Sequence, residues 1–246
     1  MIAVILAAGA SRRLGNITDG LPKTMIRFGD KPLLQYQMES LLGSDVDKVY
    51  IVVGYKKDII IDYFGNRFAD LQLDYIENRE YMNTNTIYSL WLAKEYFINN
   101  DFIYFNADVL CHPDVPKRVL KSAHSNVMAI EEKDCGEEEV KVICDHNGKI
   151  LRIGKDINPD KCKGEFIGIA KFSSDLTEDF ADCMERIISA GGEKNFFEKA
   201  VDKLLDKFDF YIENITGLPV IEIDFPEDLE RARLEVYNRI ISEYNW

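Results

Sequence analysis

A few stretches of this chain hold residues whose types and spacing could do chemistry. The first begins at Leu6-Ala7-Ala8-Gly9-Ala10-Ser11-Arg12-Arg13-Leu14-Gly15 and continues to Leu21-Pro22-Lys23, directly after the apolar run Ile2 to Leu6. Small residues leaving a buried strand let backbone N–H groups approach a phosphate or a base with no side chain in the way. Arg12 or Arg13 and Lys23 add charged donors, Arg as a planar fork and Lys as a movable point charge. A plain connecting loop is the competing reading, and the Pro-Lys that follows weighs against it. The second stretch is Ala107-Asp108, at the end of the strand-like run Phe102 to Asn106. In an open α/β sheet that end borders the ligand crevice, although Asp is also common as a cap or turn residue.

Asn83, Asn85 and Ser89 fall at or just inside the start of a predicted helix, where unpaired N–H groups and the helix dipole favour anions; capping by Asn85 is an equal alternative. Asp224, in Asp224-Phe225-Pro226-Glu227, reads equally as a helix start, with Asp at the cap and Pro in the first turn. The histidines, His112, His124 and His146, are scattered and form no base or metal cluster in sequence.

The elements that must position these residues alternate strand and helix, which predicts an α/β fold: a mixed, mostly parallel central sheet flanked by helices. Strands are expected over 2–6, 48–53, 71–77, 102–106, 127–131, 140–144, 166–172 and 221–223. Helices are expected over 32–42, 57–64, 87–97, 113–122, 176–189, 196–205 and 226–244, with 7–22 a long loop. Residues 131–172 read as a small β-rich insertion with a turn at Asp145-His146-Asn147-Gly148. With no repeat, low-complexity run or linker, a single domain over 1–246 is the expectation.

The 246 residues, 46% hydrophobic and 30% charged, suit a packed globular protein. Thirty basic against 43 acidic residues give a net charge of −13, which repels nucleic acid and anionic membranes but does not veto a triphosphate site, where a few clustered cations set the local field. Five cysteines without a Cys-x-x-Cys pair disfavour disulfides and structural zinc. The apolar start has no basic leader and is too short to span a bilayer, so it reads as the first buried strand of a cytoplasmic protein.

The Leu6 to Gly15 loop with Pro22-Lys23 resembles the nucleotidyltransferase superfamily of glycosyltransferase-A-type, Rossmann-like fold, whose signature is Leu-Ala-Ala-Gly-x-x-x-Arg-Leu-Gly followed by Pro-Lys. Asn83 to Leu90, Gly164 to Ile169 and Glu222 to Leu229 support the same resemblance, which runs from residue 2 to about 232. Within the superfamily the chain is most similar to the phosphocholine cytidylyltransferase branch and its relatives acting on inositol phosphate, aminoethylphosphonate or sugar 1-phosphates. Many sugar nucleotidyltransferases carry Gly-Thr where this chain has Asn83 to Leu90, which favours the cytidylyltransferase branch.

The resemblance implies CTP as nucleotide, a small phosphorylated or phosphonate acceptor, release of pyrophosphate, and one Mg²⁺ held by Asp108 and Asp224. It also implies Lys23 and Arg13 as catalytic residues. Leu6, Ala7, Ala8, Gly9, Ser11, Arg12, Arg13, Lys23, Asn83, Asn85, Ser89, Ala107 and Asp108 would line the nucleotide. Lys141, Lys155 and Glu165 are the acceptor-side candidates, solvated surface lysines being the ordinary alternative for the first two. A homodimer is in keeping with a soluble enzyme of this size. Three rival readings stand beside this one. A sugar-1-phosphate nucleotidyltransferase would use UTP, CTP or dTTP. An NAD(P)-dependent oxidoreductase is opposed by Pro22, which keeps the loop from running straight into a helix, and by the lack of any Tyr-x-x-x-Lys pair. A non-catalytic nucleotide binder would have no need of Lys23 and both carboxylates.

Overall fold

The computed structural model describes residues 1–10, 12–18 and 20–244; Ser11 of the small-residue loop lies outside them. In chain order the strands are β1 Ile2–Ala7, β2 Arg27–Phe28, β3 Lys31–Pro32, β4 Lys48–Val53, β5 Arg67–Phe68, β6 Leu71–Glu77, β7 Phe102–Asn106, β8 Val109–Cys111, β9 Val127–Glu131, β10 Lys141–Cys144, β11 Ile150–Gly154, β12 Gly164–Phe172, β13 Tyr211–Asn214 and β14 Val220–Glu222. The helices are α1 Leu33–Leu41, α2 Lys57–Phe64, α3 Thr86–Leu92, α4 Lys94–Phe97, α5 Asp114–Lys121, α6 Thr177–Ser189, α7 Glu198–Leu204, α8 Pro226–Arg231 and α9 Tyr237–Glu243.

The main sheet runs β11-β10-β12-β7-β1-β4-β6-β5, with β9 against β12 and β13 against β9. Its centre, β7-β1-β4-β6, is parallel, and β12 crosses antiparallel to β7. The β-branched runs of β1 and β4 are buried on both faces because helices cover both. One core gathers Val4, Val52 and Tyr104 with Leu90 of α3, Phe180 of α6 and Val201 of α7. The opposite core gathers Ala3, Ile5 and Ile51 with Leu34 of α1, Ile60 of α2 and Val115 of α5. Among the described residues no helix is long and apolar enough to cross a membrane.

Some elements depart from the sequence reading. The helix expected over 87–97 is two, because Ala93 takes a turn conformation and its N–H bonds back to Leu90 and Trp91. The final helix holds a π turn, Ala232–Val236, between α8 and α9. Leu229, Ala232, Val236 and Ile240 along it are buried. The loop expected over 7–22 carries a 3₁₀ turn, Arg12–Thr18, broken at Gly15, and a second, Lys23–Met25, follows Pro22. Stretch 131–172 carries β10, β11 and β12, and β12 ties it to the parallel centre through β7.

That junction depends on Gly168. β12 has a bulge between Phe166 and Ala170, and Gly168 there has φ +76°. A Cβ at Gly168 would lie 2.7 Å from Cβ and Nδ2 of Asn106 on β7. The substitution Gly168→Ala combines a left-handed conformation with that clash and should destabilise the fold by about 1–3 kcal/mol. Urea denaturation measures it, and an unchanged midpoint would show that the β12–β7 junction tolerates a side chain.

Candidate functional site

The parallel strands end at one edge of the sheet, and the site is built there. After β1, Ala8 accepts a hydrogen bond from Tyr55 N–H at 3.1 Å. The neighbouring Gly54 allows this approach, since a Cβ on it would come within 2.8 Å of the Ala8 carbonyl oxygen and 2.9 Å of Tyr81 Cβ. Gly9 is the converse case: a Cβ there would meet nothing within 4 Å. The turn thus presents bare backbone to open space, as a phosphate cradle requires. Leu14, buried with Ile26 and Phe28 in a third apolar cluster, anchors the loop, while Arg12 and Arg13 stay exposed.

Asp108 follows β7. Ala107 N–H donates to the Leu6 carbonyl at 3.2 Å, and the buried Gln37 of α1 donates through Nε2 to the carbonyls of Asn106 and Val109 at 2.9 and 2.8 Å. The backbone on either side of Asp108 is therefore pinned. β14 pairs antiparallel with β8, Glu222 opposite Val109, and Ile223 N–H donates to the Asp108 carbonyl at 3.0 Å. Extended backbone alternates its side chains, so Ile223 enters the core while Glu222 and Asp224 turn to the other side, beside Asp108.

Lys23, at the start of its 3₁₀ turn, closes the cluster. Its Nζ lies 3.0 Å from Asp108 Oδ2 and 2.7 Å from Asp224 Oδ1. Arg13 reaches Asp224 Oδ2 at 3.3 Å and rests over the Phe225 ring, 5.2 Å from its centroid. Asp108, Glu222 and Asp224 each offer an oxygen within 4.8 Å of the others. Burial works against the Lys23 charge, but the two aspartates overcome it and raise its pKa. Burial would likewise raise Asp224, yet Lys23 and then Arg13 hold it below the ordinary carboxylate value. Glu222, more deeply buried, is pushed well up, first by desolvation and then by Asp108 and Asp224, which outweigh the opposing charge of Lys23. Three converging hard oxygen donors are a donor set suited to a divalent cation.

The other residues singled out in the sequence divide. Asn85 caps α3, its Oδ1 accepting the Thr86 N–H at 2.8 Å. Asn83 is exposed and donates to Glu80 at 3.4 Å. Ser89 is only 7% exposed, and its hydroxyl accepts from Asn78 Nδ2 at 3.0 Å, so it ties α3 to the end of β6. Lys141 is corrected: fully buried, its ammonium donates to the carbonyls of Gly136, Glu137 and Glu139 at 2.9, 3.2 and 3.1 Å. All three of its protons go to holding that loop. Glu165 pairs with Lys133 at 2.5 Å; burial raises its pKa despite that partner. Lys155 lies 4.5 Å from the Phe196 ring centroid and 3.8 Å from Glu138, and its charge acts on both Asp224 and Glu198.

Two carboxylates here escaped the sequence reading. Glu222 had a legible signal, the alternation Glu222-Ile223-Asp224 that puts two acids on one side of a strand. Glu198 had none, since an acid at a helix start looks like a solvated end. It is 3% exposed and its Oε2 has no hydrogen-bond partner. Burial raises its pKa to about 7, against the smaller opposing effects of its backbone hydrogen bond and of Lys155.

Comparison with known proteins agrees with this geometry. The chain is 25% identical to a CTP:phosphoglutamine cytidylyltransferase of Campylobacter jejuni, over 94% of this chain and 98% of that protein. It is 27% identical to a choline-phosphate cytidylyltransferase of Streptococcus pneumoniae, over 94% and 96%. The solved structure of the CTP:phosphocholine cytidylyltransferase from Streptococcus pneumoniae superposes with a TM-score of 0.76 at 25% identity, covering 94% of this chain and 97% of that one. The family model for nucleotidyl transferases matches residues 2–139, the segment that carries the Gly9 turn, Lys23 and Asp108, and the chain belongs to the nucleotidyl transferase family.

Proposed function

We propose that this protein is a CTP-dependent cytidylyltransferase, transferring CMP to a small phosphorylated or phosphonate acceptor with release of pyrophosphate. The observation that carries the reading is the Lys23 ammonium held between Asp108 and Asp224 at the mouth of the bare Gly9 turn. The printed activities of the cytidylyltransferase relatives support CTP and the acceptor class. Asp108 and Asp224, joined by Glu222, would hold Mg²⁺, which when bound supplies charge neutralisation at the triphosphate. The reading extends to a cytoplasmic, single-domain protein acting as a homodimer, with neither nucleic acid nor membrane among its partners.

In this reading backbone N–H groups of the Ala7 to Gly9 turn bind the nucleotide, with Arg12 beside them. An anionic acceptor oxygen attacks the α-phosphorus in line, forming a new P–O bond. The bond from the α-phosphorus to the oxygen bridging it to the β-phosphate breaks, and pyrophosphate departs with the electron pair. The nucleophile is already an anion, so no general base is needed, and rate comes from positioning and electrostatics. Lys23 and Arg13 offset the charge that develops on the phosphates. Lys155 holds the acceptor phosphate.

Pyrophosphate release, measured with CTP, UTP, ATP and GTP against phosphocholine, aminoethylphosphonate, inositol phosphate and hexose 1-phosphates, should be fastest with CTP and a non-sugar acceptor. Lys23→Met should lower turnover by about two to three orders of magnitude with the fold retained. Release with no pair at all would sink the reading.

Glu198 gives a separate prediction. Its folded pKa is about 7 against an ordinary 4.5, so the folded state favours the protonated form. Relative to Glu198→Gln, the wild type loses stability as pH rises from 4.5 to 7, and the loss is complete above that. The stability difference between the two proteins should change by on the order of 3 kcal/mol between pH 4.5 and pH 8, always in favour of the glutamine at high pH. Thermal denaturation at both values measures it; a difference independent of pH would mean that Glu198 is ionised at little cost.

A further inference from the structure

The helix start at α8 breaks a local rule. Phe225 occupies the N-cap, where Asn, Asp, Ser or Thr would satisfy a free N–H and where an apolar residue costs about 1 kcal/mol. Pro226 follows at the first helical position, suited to it because it has no N–H to leave unpaired. Capping is left to Asp228, three residues into the helix. Its Oδ2 accepts the N–H of Phe225 at 2.8 Å and also the N–H of Asp224 at 3.1 Å. Only the first of these belongs to a reciprocal capping box; the second reaches past the helix to the residue that carries the cluster carboxylate.

The backbone at Asp224 is thereby fixed from both sides. On its amino side, Ile223 N–H is bonded to the Asp108 carbonyl at 3.0 Å. On its carboxyl side, the Asp228 carboxylate gathers two successive N–H groups. The Phe225 ring, freed from capping and 41% exposed, lies under the Arg13 guanidinium, which in turn contacts Asp224 Oδ2. The Asp224–Asp228 turn thus sets the direction of the carboxylate and seats a neighbouring cation.

We infer that Asp228 is a positioning residue: it touches neither Lys23 nor the other carboxylates, and by fixing the turn that presents Asp224 to Asp108 and Glu222 it sets the affinity of that cluster for a divalent cation. The inference rests on the proposed role of Asp108 and Asp224 as metal ligands. Groups that orient a ligand from outside the coordination sphere change metal affinity by about 10–100-fold when removed, whereas a helix cap alone would change only stability.

Calorimetric titration with Mn²⁺, without nucleotide, separates the two. Asp228→Ala should weaken Mn²⁺ binding by about tenfold, and Asp228→Asn, whose amide oxygen still accepts both N–H groups, should recover most of it. Asp101→Ala serves as the comparison, because Asp101 Oδ1 accepts the Ser174 N–H at 2.7 Å at the opposite end of β7 from Asp108. It should lower the melting temperature and leave Mn²⁺ binding unchanged. Where Asp228→Ala does not fold, Asp228→Ser, too short to reach both N–H groups, takes its place. Mn²⁺ affinity in Asp228→Ala within about twofold of wild type, or an equal loss in Asp101→Ala, overturns the inference while leaving the metal reading intact. A wild type that binds no Mn²⁺ overturns both.

Discussion

One ammonium shared by two carboxylates organises this molecule. Asp108 and Asp224 lie 85 and 201 residues from Lys23, and with Glu222 they bring three acids within 4.8 Å of one another. Like charges so close in a half-buried site raise one another's pKa, as Glu222 shows, unless a cation intervenes. Lys23 supplies that cation, and the lowered pKa of Asp224 records its effect. Much of the fold around this edge can be understood as what holds the three segments in place. The Lys23 turn is held through Leu14, Ile26 and Phe28, Asp108 through the parallel strand β7 and Gln37, and Asp224 through the short pairing of β14 with β8.

The parallel order β7-β1-β4-β6 makes this geometry possible, because it brings the carboxyl ends of strands distant in sequence to one edge. Each end gives the crevice something different. β1 yields the bare turn at Ala8 and Gly9, β4 yields Gly54 on which that turn closes, and β7 yields Asp108. The antiparallel additions on the far side, β12 with β9 and β10, carry Glu165 and bring Lys155 near. Nucleotide-side and acceptor-side candidates are accordingly presented by differently built halves of one sheet. The net charge of −13 does not prevent the crevice from being locally rich in cations, with Arg12, Arg13, Lys23 and Lys155 gathered about it.

What the sequence disclosed followed from how local its cause was. The bounds of β4, α2, β6 and β7 agree with the reading because their apolar patterns are strong and their packing simple. β8 and β13 were missed, being short strands whose partners lie far along the chain, and β11 was missed although it pairs with the neighbouring β10. Lys141 fits neither the acceptor-side role nor the solvated lysine that the sequence offered, because only the folded loop reveals three carbonyls converging on its ammonium. The bond between Asn78 and Ser89 was unreadable for the same reason: the hydroxyl lies on the buried side of α3, and its partner belongs to another element. That Lys23, Asp108 and Asp224 meet was legible only through a family pattern, since nothing local in the sequence says so.

Among the described residues four buried polar side-chain atoms have no hydrogen-bond partner: the Thr24 hydroxyl beside Lys23, Oε1 of Gln37, Oε2 of Glu198 and Nε1 of Trp91. An unmet buried polar group costs about 1–3 kcal/mol. Two of the four stand next to the residues that build the cluster, Thr24 following Lys23 in the chain and Gln37 pinning the backbone on either side of Asp108. Uncapped helix starts, by contrast, are not confined to this edge, since Phe197 opens α7 as Phe225 opens α8, while Asn85 caps α3 with its own side chain. The unmet groups beside Lys23 and Asp108 are therefore the local conflict that fits a site whose groups are held ready for a partner that the fold alone does not supply.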